Sequence, residues 1–211
     1  GGEEVFGSHL LSLLEAVHKT DAGFLTREDE IINPDGWILL SFIMDPRTGL
    51  GRFKDYRIAN YQLMMNLIGY CRSMSVDQIL DIPDVKERTV RYFEQQDLFI
   101  KMLKRCCLTD QNIIVNNLLD EEVIYCGNRF IVYSLFPEQN IEIRIMWGRN
   151  KQNVVFAVGH SITNRSSLTN VGELMYQYGG GGHEYVGTCQ IPRDNWEVVL
   201  KELIDKIKKD S

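Results

Sequence analysis

Residues 170–191 read NVGELMYQYGGGGHEYVGTCQI. Thr169 or Asn170 can cap a helix that runs through Tyr178. Four consecutive glycines, Gly179, Gly180, Gly181 and Gly182, then stop it, and His183 follows directly. Tyr185 to Ile191 has the composition of a strand. A helix, a glycine run and a strand in immediate succession place this stretch in a domain that mixes both element types.

Outward from it, residues 112–211 keep this character. Ile113-Ile114-Val115, Val123-Ile124-Tyr125, Phe130-Ile131-Val132-Tyr133-Ser134-Leu135 and Val154-Val155-Phe156-Ala157-Val158 are strand-like. Ile141 to Trp147 alternates apolar and polar positions, as a half-buried strand should. Asp194 can cap a final helix to about Lys208. The expected fold class is α+β (α/β), with a mixed sheet of about five strands packed with helices.

Residues 8–105 read as mainly helical. Ser8 caps a first apolar face, Asp21-Ala22-Gly23 breaks it, and Thr26-Arg27-Glu28-Asp29 supplies a second capping pattern. Asn33-Pro34-Asp35-Gly36 marks a turn. Trp37 to Met44 is a buried helix or a strand, which periodicity alone does not separate. Asn60 to Ser73 is helical, Ser75 caps a short helix, and Pro83 opens a long one to Lys104.

The glycine run has a physical cost, since each glycine loses about 0.5–1 kcal/mol of conformational entropy against alanine on folding. Three readings account for it, one of them a packing need, where backbone must approach another segment closely. Successive backbone N–H groups can form a nest for an anion, with the His183 imidazole donating to a phosphate oxygen. Alternatively, the run is a helix C-cap and a flexible turn, for which one glycine is enough. No Gly-Lys-Ser/Thr follows, so a Walker-type nucleotide loop is disfavoured.

The net charge of −6 argues against a nonspecific nucleic-acid coat protein. Residues 1–140 hold 14 basic and 21 acidic residues, and residues 141–211 hold 9 and 8, so only the second region can take a polyanion without opposing its own field. The five cysteines form no C-x-x-C pair, which fits reduced core thiols and a cytoplasmic location. No apolar run approaches the roughly 20 residues of a membrane span.

Asn170–Tyr178, the GGGGH loop and Gly187-Thr188-Cys189 resemble the end of the C-terminal domain of DHH-family phosphoesterases, exopolyphosphatase-related and nanoRNase-like bacterial hydrolases. The resemblance covers about residues 15–205. It implies substrate binding by Gly179–Gly182, with His183 contacting a phosphate. Many members carry Arg-Ser at the end of the preceding strand. This sequence has Gly159-His160-Ser161 and then Asn164-Arg165-Ser166, so His160 or Arg165 stands in for that arginine. His18-Lys19-Thr20-Asp21 resembles the segment carrying the family's last metal ligand, which makes Asp21 a ligand to a two-ion manganese site, with magnesium as a substitute. Asp45 to Asp55 resembles a connector of the exopolyphosphatase-related members, whose Arg47 and Arg52, and more weakly Arg57, reach phosphate.

On this resemblance residues 1–24 are a remnant of the catalytic domain, 25–108 a helical connector and 109–211 the substrate-binding domain. The sequence is expected to be a piece of a longer protein. The whole enzyme is expected to hydrolyse short oligonucleotides, dinucleotides or 3′-phosphonucleotides. An exopolyphosphatase acting on inorganic polyphosphate and a noncatalytic nucleotide-binding module are the alternatives. The chain alone, lacking the DHH triplet and most metal ligands, is expected to bind substrate without turnover. A homodimer is compatible with this reading.

Overall fold

The computed structural model describes residues 10–25 and 28–210. The capping patterns at Ser8 and at Thr26–Arg27 lie outside the described residues. The chain divides into two compact units. One ends at Ile100 and takes back Tyr125–Ile131, and the other holds Lys101–Ile124 and continues from Val132.

The first unit is helical: α1 (Leu11–Asp21), α2 (Glu28–Ile32), α3 (Gly36–Met44), α4 (Asn60–Ser73), α5 (Val76–Leu80) and most of α6 (Pro83–Cys106). The ambiguous Trp37–Met44 run is α3. Its Ile38, Leu39, Leu40, Phe42 and Ile43 are buried, so apolar neighbours surround it and no alternating polar face is needed. Leu40 packs with Leu63, Leu67, Ile79 and Val85 in one core. Ser75 and Gln78 form a reciprocal capping box at the start of α5.

A charged side chain anchors this unit. Arg88 is fully buried, and its guanidinium donates to the carbonyls of Asp84 (2.8 Å) and Ile58 (2.7 Å) and lies 3.9 Å from the Tyr56 ring centroid. Such a charge is tolerated inside only when its donors are satisfied.

The second unit is built on one six-stranded mixed sheet in the order β1-β2-β3-β4-β6-β5. The strands are β1 (Cys107–Asp110), β2 (Ile113–Asn117), β3 (Ile141–Trp147), β4 (Asn153–His160), β5 (Gly181–His183) and β6 (Val186–Pro192). β2 and β3 pair parallel and the other neighbours pair antiparallel. Ile141, Ile143 and Ile145 of β3 join Val154, Phe156 and Val158 of β4 in the core, against α8 (Val171–Tyr176) and α9 (Trp196–Lys209). On the other face Glu142 and Arg144 pair through two hydrogen bonds of 3.0 and 3.2 Å, and Asn116 donates to Glu142.

Two strand expectations are corrected. Ile131–Leu135 is a helix, α7. The Asn128 side chain accepts from the Phe130 N–H (2.9 Å), a local turn that sets the backbone up for helix, and Ile131, Val132 and Tyr133 are all buried, so periodicity carried no signal. Val123–Tyr125 is irregular; Val123 is exposed and no described strand pairs with it. Two short strands were not expected, β1 and β5. The five cysteines are all free, with Cys107, Cys126 and Cys189 buried. No described helix is long and apolar enough to cross a membrane.

Candidate functional site

The glycine run is not one device but several. Gly179 takes φ +73°, and the N–H groups of Gly179 and Gly180 donate to the carbonyls of Tyr176 and Met175 (3.1 and 3.0 Å). That is a left-handed helix stop, and it uses one glycine. Gly180 and Gly182 sit against β6: a Cβ at Gly180 would lie 2.0 Å from the Thr188 carbonyl oxygen, and one at Gly182 would lie 2.2 Å from that of Val186. Gly181 is different. It has no positive φ, and a Cβ there would meet nothing within 4 Å.

Register explains the difference. Gly181 pairs with Thr188 and His183 with Val186, while Cys189 and Ile191 point into the core. Residues two apart on a strand share a face, so Gly181 and His183 look out on the exposed side with Val186 and Thr188. Ala157 and Gly159 of β4 continue that side as small residues. His183 is exposed and its ring has no partner among the described residues.

β5 is the edge strand of the sheet. Beyond its edge lies a cleft of about 610 Å³ lined by β5, by Glu184 in the turn, by Glu173 and Tyr176 of α8 and by Gln177 just after it. Asn170, one of the two cap candidates, caps α8 by accepting from the Glu173 N–H (3.1 Å). Gly172 lets α8 approach β5, since a Cβ there would stand 3.0 Å from the carbonyl oxygens of Gly182 and His183. Of the tyrosines near the loop, Tyr176 and Tyr185 are exposed, whereas the Tyr178 hydroxyl bonds Glu202 and Lys206 of α9.

His160 and Arg165 do not line this cleft. The His160 ring packs edge-on to Tyr185 and its Nε2 lies 2.8 Å from the Thr169 carbonyl. Burial pushes its pKa below the usual value, with the Thr169 bond and the charge of Glu184 opposing. Arg165 is exposed, and its Nε donates to the Ile162 carbonyl at 3.4 Å.

The helical unit holds a separate cavity of about 440 Å³, lined mainly by apolar residues, with Asp21, Asp45, Arg47 and Arg129 on its wall. The family resemblance brought Asp21 and Arg47 forward, but nothing in the sequence pointed to Arg129, which pairs with Asp45 from a distant loop. Arg47 also donates to Asp45 through its backbone N–H (2.9 Å) and its Nε (2.8 Å). Burial works to raise the pKa of Asp45, yet the Arg47 hydrogen bonds and the Arg129 charge outweigh it and hold the carboxyl below its usual range. Arg52 lies outside the cavity wall, with its Nε on the Gly49 carbonyl (3.0 Å) and a second nitrogen 3.4 Å from Cys126 Sγ. Arg57 faces Asp84 at 3.7 Å.

As a metal centre this cavity is a poor fit. Among the described residues no group of three or more His, Cys, Asp or Glu side chains could hold an ion. Asp45 is committed to two guanidinium groups, whose charge disfavours a cation. Among the described residues Asp21 is therefore the one carboxylate on that wall left to a metal, and two ions need more.

No family model matches the chain, and no curated protein matches it. Solved structures do. The pGpG-specific phosphodiesterase PggH from Vibrio cholerae is 48% identical, with a TM-score of 0.87, over 99% of this chain and 69% of that one. The DHH domain of a member of a family of ribosomal proteins aligns at 16% identity and a TM-score of 0.46, covering 90% and 44%. An uncharacterized protein from Helicobacter pylori G27 aligns at 17% and 0.31, covering 99% and 62%. With near-half identity along its length to a phosphodiesterase, the chain belongs to the DHH-family phosphoesterases.

Proposed function

We propose that the sheet unit holds a short linear oligonucleotide, a dinucleotide such as pGpG, for a metal-dependent phosphodiesterase. The observation that carries this is the exposed His183 on one face of β5 with the half-buried Gly181, which has open space where a side chain would stand. Gly181 has no packing or backbone reason to lack a side chain, and its bare surface lets a phosphate reach the strand beside the imidazole. The likeness to a pGpG-specific phosphodiesterase supports a dinucleotide over other phosphate esters. Manganese or magnesium, when bound, would supply the activated water for that hydrolysis. Asp21 would contribute to that site, and its other ligands would lie outside the described residues. Arg47 would serve as a phosphate contact of the helical unit.

Calorimetric titration of the purified chain with pGpG tests the proposal. Binding is expected, and His183→Ala and Gly181→Val should each weaken it at least about tenfold, the loss of a good charge-assisted contact. Undiminished binding by the double variant removes the loop from the substrate site. Manganese-dependent release of GMP by this chain would show that the described residues carry more of the metal site than is proposed.

A further inference from the structure

The cleft beyond β5 has a charge that phosphate does not suit. Glu173 and Glu184 both line it, and among the described residues His183 is its one side chain able to carry positive charge. A second phosphate placed there would stand against two carboxylates, at a cost that grows as water is excluded. The lining suits a neutral, planar group with hydrogen-bond donors instead. Tyr176 is 77% exposed and lies three residues from Glu173, so ring and carboxylate rise from the same side of α8. The Glu173 carboxylate has no partner among the described residues, whereas the Gln177 carbonyl oxygen already accepts from Lys206 Nζ at 2.8 Å.

We propose that this cleft is the base pocket and that it selects guanine, with Tyr176 stacking on the ring and Glu173 accepting from N1–H and the N2 amino group. Guanine is the base whose Watson–Crick edge sets two donors side by side, and a carboxylate offers two acceptors at matching spacing. Adenine sets a donor beside an acceptor and would leave one carboxylate oxygen facing a lone pair. The volume of about 610 Å³ accommodates a base with its ribose. The phosphate stays on the exposed side with His183, and the bare Gly181 lets the sugar pass over the sheet edge between the two.

This rests on the dinucleotide reading above, and titrations with pGpG and with pApA separate the two ideas. The wild-type chain should bind pGpG at least about tenfold more tightly than pApA. Glu173→Gln should reduce pGpG affinity about tenfold and change pApA affinity less than about twofold. Tyr176→Ala should weaken both dinucleotides, and Tyr176→Phe should restore both. An unchanged pGpG to pApA ratio in Glu173→Gln overturns the base pocket and leaves the dinucleotide reading standing. Failure of the wild-type chain to bind either dinucleotide overturns both. Glu173 and Tyr176 lie outside the buried core, so all three variants should keep the wild-type melting temperature.

Discussion

At the scale of single residues the loop offers an internal control. Gly180 and Gly181 are neighbours with opposite surroundings. A methyl group at Gly180 would collide with the backbone oxygen of Thr188 at 2.0 Å, and no rotamer change relieves a backbone contact. Gly180→Ala should therefore cost about 2 kcal/mol or more, in the range of overpacking. Gly181→Ala places its methyl in open space and should stay within about 0.5 kcal/mol of wild type. Urea unfolding of the two variants decides the matter. Equal losses would make Gly181 a structural residue and take away the main reason for placing a ligand against it.

Single elements show what sequence can and cannot tell. The helix before the glycines, its cap at one of two neighbouring residues and the Ser75 cap were legible because each rests on contacts a few residues apart. The His183–Gly181 face was half legible: the motif was visible, but the assignment of Gly180 and Gly182 to packing needed the register with β6. α7 and the pairing of Arg129 with Asp45 were not legible, since both depend on a loop that folds onto residues far away in sequence. Asn128 holds that loop. It is 1% exposed, donates to the Ile31 carbonyl (2.8 Å) and the Tyr92 hydroxyl (2.9 Å), and accepts from Phe130. Asn128→Ala leaves three polar groups short of a partner and should cost about 2–4 kcal/mol. A loss below about 0.5 kcal/mol in thermal or urea unfolding would mean that the loop is held by other contacts.

Across the whole molecule, each unit carries a group that ties stability to pH. In the sheet unit, burial depresses the His160 pKa, so the unfolded chain takes up that proton first. The stability that neutral His160 contributes is complete above its unfolded value of about 6.5 and is lost as pH falls through that value toward the folded one. In the helical unit, the Arg47 hydrogen bonds and Arg129 overcome burial and depress the Asp45 pKa. Its contribution is complete above an unfolded value of about 3.9 and is lost as pH falls further, through the folded one. The melting temperature should thus decline in two stages, a first as pH falls below about 6.5 and a second below about pH 4. His160→Gln keeps a donor for the Thr169 carbonyl but cannot titrate, and it should flatten the first stage alone. Asp45→Asn should lower the melting temperature at about pH 7, because it gives up charged pairing with two arginines, and should flatten the second stage. An unaltered slope across the first stage in His160→Gln would show that the sheet unit does not sense pH through this imidazole.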